Sequence, residues 1–197
     1  MNLSDLKYLI ILDFEANCSE NNSVPLEIIE FPCVVYDIEN DIIKRDIDFS
    51  YFCKINTKLT PFCTQLTSIT QKMSDSGESL SELLKLHSKW MFTNDLKDKS
   101  MFVTCGDWDL KTALPTHCKL LGIKYPNYLK KWCNVKIMFE ETYYKKSRSM
   151  TNMLDELNLK LDGVHHRGID DCANTAKICQ KLINDGCKFR ITFNTVC

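Results

Sequence analysis

The sequence predicts an α/β fold, a mixed sheet flanked by helices, and three observations carry that reading. Apolar runs of strand length crowd the first 55 residues, at Tyr8–Leu12, Ile28–Tyr36 and Ile47–Ile55. From Leu80 onward apolar residues recur at helical spacing, and one further short apolar run, Met101–Cys105, lies between two of those helical segments. Strands first, then a strand alternating with helices, is the order of a sheet covered by helices. At 197 residues the chain suits a single domain over 1–197 with a full core.

The first strand, 7–15, runs through five apolar residues, Tyr8–Leu12, straight into Asp13, Phe14 and Glu15. Side chains alternate along a strand, so Asp13 and Glu15 share one side while Phe14 enters the opposite layer. Two carboxylates held that close raise each other's pKa and repel unless a cation lies between them. Asp-x-Glu alone also fits a strand that ends in a solvated acidic turn, so the later carboxylates decide. After a polar loop, 17–25, the second and third apolar runs predict a three-stranded meander.

Ser79-Leu-Ser-Glu82 reads as a capping box, and Leu80, Leu83, Leu84, His87, Trp90 and Met91 continue from it as an apolar stripe, with His87 at the core edge. Beyond the strand 101–105, Gly106-Asp107-Trp108-Asp109 opens a helix that stops at Gly122, and either carboxylate is placed to cap it. Further helices fit Val135–Tyr144, Met150–Leu157 and Ile169–Asn184, the last closed by Asp185-Gly186.

That last helix starts inside His165-His166-Arg167-Gly168-Ile169-Asp170-Asp171, where His-x4-Asp occurs in two overlapping registers. Asp171 shares a helical face with Thr175, Ile178 and Leu182, whereas Asp170 shares one with Asn174, Lys177 and Lys181. The spacing therefore predicts that Asp171 faces the core and Asp170 water. A core-facing carboxylate must be paired or bind a metal, which assigns the chemistry to Asp171 and, with it, His166. His165 and Asp170 read as neighbours without a catalytic role.

No stretch approaches the roughly 18 apolar residues of a membrane span. The first apolar run lacks the basic flank and small-residue cleavage site of a secretion signal, so a non-secreted protein, cytoplasmic or also nuclear, is expected; a monomer is the working expectation, with the oligomeric state left open by the sequence. Eleven evenly spread cysteines without a Cys-x-x-Cys pair predict reduced thiols, and the missing ligand pairs speak against a zinc site. Between Lys119 and Arg148 eight basic residues face two acidic ones, interleaved with Tyr125, Tyr128, Trp132, Tyr143 and Tyr144. The segment is a candidate surface for a nucleic-acid strand, although a solvated face with core aromatics has the same composition.

Five stretches together, Ile11–Cys18, Glu27–Pro32, Phe62–Gln71, Cys105–Leu110 and His166–Asp171, resemble the DEDDh 3′→5′ exonucleases, and more closely their Eri-type branch of enhanced-RNAi and Snipper-like exoribonucleases. The resemblance covers nearly the whole chain, with the motifs in the family's order. It implies an RNase H-like mixed five-stranded sheet flanked by helices. It also implies that Asp13, Glu15, Asp109 and Asp171 hold two Mg²⁺ ions, for which Mn²⁺ substitutes, and that His166 is the general base with Glu15 beside it in the catalytic set. The choice of Asp109 over Asp107 rests on this resemblance alone. Arg167 stands where the tyrosine-type variant of these enzymes carries its tyrosine, so the histidine type is implied.

By the same resemblance Phe62 and Trp108 sandwich the terminal base, the backbone at Ala16 meets the terminal ribose, and His166 lies against the substrate. Without it, Phe62 and Trp108 read as core aromatics. The implied activity is a metal-dependent 3′→5′ exoribonuclease that acts on single-stranded or overhanging RNA 3′ ends and releases nucleoside 5′-monophosphates. A DNA-directed exonuclease of the same group and a non-catalytic RNA-binding module are the alternatives. The RNA target and protein partners stay open.

Overall fold

A computed structural model describes residues 6–21 and 23–195. One sheet organises the chain, and two of its rules follow from the first strand. β1 (Tyr8–Leu12) pairs antiparallel with β3 (Ile28–Asp37), Tyr8 opposite Asp37 and Leu12 opposite Cys33. Its side chains alternate as the pleat demands: Ile10 and Leu12 enter one apolar layer, Leu9 and Ile11 the other. β2 (Glu15–Ala16) continues along the same side of β3, with Glu15 opposite Glu30 in the register that β1 sets. The predicted single strand 7–15 is thus one path, from Tyr8, interrupted at Asp13 and Phe14.

β4 (Ile42–Phe52) pairs antiparallel with β3 on its other side, which completes the meander; it begins five residues before the predicted start, at the turn after Asp37. β5 (Ser100–Thr104) lies parallel to β1, and β6 (Lys131–Asn134) parallel to β5. Two-residue β7 (Phe193–Asn194) closes the edge antiparallel to β6. The sheet is mixed, as the fold class requires. Its five longer strands are extended by the two-residue β2 and β7 to seven in all.

Helices cover both faces. On the Ile10 side, α3 (Leu80–Thr93) and α4 (Leu114–Leu121) pack Leu83, Leu84, Met91 and Cys118 against the sheet. On the Leu9 side stand α5 (Val135–Tyr143), α6 (Met150–Glu156) and α7 (Gly168–Asn184). Two short helices, α1 (Pro61–Thr67) and α2 (Gln71–Asp75), start at Thr60 and Thr70 caps and close one end over Ile29 and Ile69. Ser79 caps α3 by accepting from the Glu82 N–H, while the Glu82 carboxylate pairs with Lys85.

His87 lies wholly inside the core, stacked on Phe31 and within hydrogen-bond distance of the Tyr128 hydroxyl at 3.0 Å; loss of hydration pushes its pKa down to about 3. Ten described cysteines are free thiols, as expected. In the basic segment the aromatics turn inward: Trp132 is buried, Tyr125 and Tyr128 pack on one core layer and Tyr143 on the other. Of the five, Tyr144 alone stands out in solvent, so core packing accounts for most of that segment's aromatic content. Among the described residues no helix is long and apolar enough to cross a membrane.

Candidate active site

The break in the first strand makes the site. Asp13 and Glu15 occupy the odd positions that face α7, while Phe14 packs edge-on to Phe31 in the opposite layer. Freed from the ladder, the Phe14 N–H donates to Asp109 Oδ1 at 2.7 Å. Asp109 is 3% exposed and opens a π-helical turn, Asp109–Ala113, that leads into α4. Pro115 has no N–H to give the Lys111 carbonyl, and the turn widens so that Leu114 bonds back to Asp109 instead. Asp107, left open by spacing, accepts from the Trp132 indole N–H at 2.9 Å and stays out of the cluster. Because β5 is the parallel neighbour of β1, Asp109 and Asp13 both lie beyond strand carboxyl ends, where open α/β sheets place their sites.

The fourth carboxylate arrives on α7. Gly168 permits the approach: a Cβ there would stand 2.6 Å from the Asp13 carbonyl and 2.8 Å from Pro32 Cγ. The Gly168 N–H donates to Glu30 Oε2 at 3.0 Å, and Arg167 lies 3.5 Å from Glu30 Oε1. Glu30 thus anchors the amino end of α7 directly opposite Glu15. Its identity as an acid facing the cluster across the strand pair was the available signal, yet it carries no candidate role in the sequence.

Asp171 is buried, as its helical face predicts, and accepts from the His166 backbone N–H at 2.9 Å. Two expectations need correction. The ring next to the Asp171 carboxylate is that of His165, with Nδ1 at 3.1 and 3.2 Å from its two oxygens, because His166 adopts a left-handed φ of 65° that folds the chain back. The Asp170 face is only partly open to water: Asp170, Lys177 and Lys181 are half-buried and Asn174 is buried. Asp170 accepts from the Val164 N–H, and buried Asn174 bonds Asp162 and the Asp170 carbonyl, tying down the loop before α7.

Electrostatics couple the acids. Loss of hydration is the largest influence on each of three carboxyls. It raises Asp13 well above the ordinary carboxylate range, with Asp109, Glu15, Asp171 and Glu30 adding repulsion; it raises Glu15 to about 9, reinforced by Asp171, Glu30 and Asp109; and it raises Asp109 to about 7, against the Phe14 N–H bond that lowers it. His166 is pushed below its usual value by burial and by the His165 ring stacked on it at 3.9 Å, with Asp171 opposing. Both influences disfavour its charged form.

Beside the acids runs a cleft of about 450 Å³ lined by Glu15, Ala16, Asn17, Leu66 and Trp108 among others. Trp108 is 45% exposed and Phe62 38%, so neither is the core aromatic that composition alone suggests. Phe62 lines an adjoining hollow with Glu20, Gln65 and Leu66, so the two rings share Leu66 as a neighbour without lining one cleft. Leu66 and Asn17 were not candidates from sequence. Asn17 is buried and donates to Thr57 and Lys58, a contact that a polar loop pattern does not disclose.

The Exonuclease (RNase_T) family profile matches residues 10–179. Human ERI1 exoribonuclease 3 is 39% identical over 192 residues, 94% of this chain and 56% of that protein, so the chain spans about half the length of such relatives. The 3′-5′ exonuclease Snipper of Drosophila melanogaster is 30% identical over 204 residues, 94% of this chain and 72% of that protein. The crystallographic nuclease domain of 3′hExo, described as a DEDDh family member bound to rAMP, matches with a TM-score of 0.90 and 36% identity over 96% of this chain and 98% of that one. Sequence motifs, fold and relatives agree, and the chain belongs to the exonuclease family, in its DEDDh branch beside the ERI1 and Snipper enzymes.

Proposed function

We propose that this chain is a divalent-metal-dependent 3′→5′ exoribonuclease releasing nucleoside 5′-monophosphates. The observation that carries the reading is the convergence of Asp109, Glu15 and Asp171 on buried Asp13, whose carboxyl all three disfavour as an anion, at the edge of a cleft that also presents Trp108. Among the described residues no Lys or Arg lies within ion-pair distance of Asp13, Glu15 or Asp109; Arg167, paired with Glu30, offsets the charge at Glu15 only in part. Desolvated carboxylates whose charge is so little offset fit hard divalent cations, which take oxygen donors. Asp13, Glu15, Asp109 and Asp171 would hold two Mg²⁺ or Mn²⁺ ions. Bound there, such ions supply charge neutralisation at the scissile phosphate and at the departing 3′-oxygen.

The remaining work belongs to the chain. Trp108, with Phe62 nearby, offers a sequence-tolerant grip on the terminal base, about 1–3 kcal/mol per stacked base. The backbone at Ala16 meets the terminal ribose from the cleft wall. His166, neutral near working pH, takes the proton of the attacking water and gives it up to solvent after cleavage. RNA over DNA follows the exoribonuclease relatives, and contacts to the 2′-hydroxyl would enforce it. A 5′-labelled RNA oligomer incubated with Mg²⁺ tests the proposal: a ladder shortening from the 3′ end with 5′-monophosphate products supports it, and internal cuts or 3′-phosphate products refute it. The matched DNA oligomer reports the sugar preference.

A further inference from the structure

We propose that His165, His166 and Asp171 form a site for a borderline transition cation of the zinc class, whose occupation switches the nuclease off. The inference deepens the exonuclease reading and rests on it for its consequence, although the binding itself does not. A ligand atom from each of the three residues lies within 4.8 Å of the other two. Consecutive residues of an extended chain project to opposite sides, yet the left-handed φ of 65° at His166 turns both imidazoles the same way and stacks them at 3.9 Å. His165 Nδ1 already faces both oxygens of Asp171.

Two imidazole nitrogens and one carboxylate are the donor set of an open zinc centre, with three protein ligands and a free position. Ligands at about 2.0–2.1 Å in a tetrahedral arrangement are roughly 3.4 Å apart, so the stacked rings must splay slightly to close on an ion. Side-chain rotation suffices, because both rings are partly exposed. The site departs from the expectation against zinc, which rested on missing cysteine ligand pairs; its donors are imidazoles and a carboxylate. Nitrogen donors favour zinc over magnesium, so the trio and the carboxylate cage prefer different metals while sharing Asp171. An ion on the trio therefore withdraws Asp171 from the cage and blocks the lone pair with which His166 accepts a proton.

The test uses the metal-stripped full chain in excess Mg²⁺. Co²⁺ is the spectroscopic probe, and Zn²⁺ affinity is read by competition with a chromophoric chelator. One equivalent of Co²⁺ is expected to give intense tetrahedral visible bands without a thiolate charge-transfer band. His165→Ala should weaken Zn²⁺ binding by at least about tenfold, the scale on which zinc sites respond to losses in their immediate shell. Asp13→Asn, which disables the neighbouring cage, should keep the tetrahedral spectrum. Zinc should suppress RNA degradation, with its midpoint raised at least about tenfold in His165→Ala relative to that protein's own zinc-free rate. Weak octahedral bands, a thiolate band, or equal zinc binding or inhibition in wild type and His165→Ala would overturn the proposal. RNA left intact in Mg²⁺ while the cobalt spectrum appears would instead overturn the exonuclease reading and leave the metal site standing.

Discussion

Burial holds the Asp13, Glu15 and Asp109 carboxyls above their usual range, with neighbouring acids adding repulsion at Asp13 and Glu15, and that has a measurable consequence for stability. A carboxyl whose folded pKa exceeds its unfolded one keeps a proton that the unfolded chain releases. The resulting stabilisation is full below about pH 4 and is lost as pH rises through about 7 for Asp109 and about 9 for Glu15. Without metal, the melting temperature should therefore fall between about pH 5 and about pH 9, and Mn²⁺ should restore it most at the alkaline end; scanning fluorimetry across pH checks both, and a metal-free melting temperature that rises over that window contradicts the coupling. His166→Ala should lower kcat by about 10²- to 10⁴-fold while Mn²⁺ binding by calorimetry stays near wild type. Since His166 is held below its usual pKa, the acidic limb of the rate profile should fall below about pH 6.5, the ordinary histidine value. Trp108→Ala removes a ring that is 45% exposed, so KM should rise with little change in melting temperature. A collapsed melt would mark Trp108 as structural.

Among the elements, the approach of α7 to β1 depends on the missing side chain at Gly168. A methyl group there meets the Asp13 carbonyl at 2.6 Å, so Gly168→Ala should displace the helix that carries Asp171. A shift of about 1 Å at such a site costs on the order of 10²-fold in rate, and overpacking about 1–3 kcal/mol in stability. Matched kinetics and denaturant melts check this, and an unimpaired rate would mean that the spacing of α7 and β1 is not needed. Much of this layer was legible in the sequence. The apolar run Tyr8–Leu12 that leads into Asp13-Phe14-Glu15, and the helical face of Asp171, both depend on local geometry, which run length and spacing encode directly. β6 and β7 were not legible, since Lys131–Asn134 and Phe193–Asn194 are too short to show a period and become strands by pairing with neighbours. The short helices α1 and α2 escaped for the same reason. The His165 contact escaped because a single left-handed residue, His166, reverses which ring meets Asp171, and spacing carries no sign of φ.

For the whole molecule, the sheet brings together acids that lie as far apart in sequence as Asp13 and Asp171. β1 and β5 are parallel neighbours, the strand break at Phe14 is bridged by Asp109, and Glu30 anchors α7 over the same end. The choice of Asp109 over Asp107, open to spacing and made in the sequence by resemblance, gains its physical reason in the assembled fold: Asp107 is used by the indole of Trp132, a residue 25 positions away. Substrate preference also belongs to this scale, and RNA should be degraded faster than a matched DNA oligomer at equal Mg²⁺, with equal rates marking a sugar-indifferent enzyme. The central claim is that four carboxylates from three elements form one cation cage, and anomalous diffraction from crystals soaked in Mn²⁺ tests it most directly. Manganese peaks ringed by Asp13, Glu15, Asp109 and Asp171 are the predicted result. A saturated crystal with no peak among those four side chains would contradict the account.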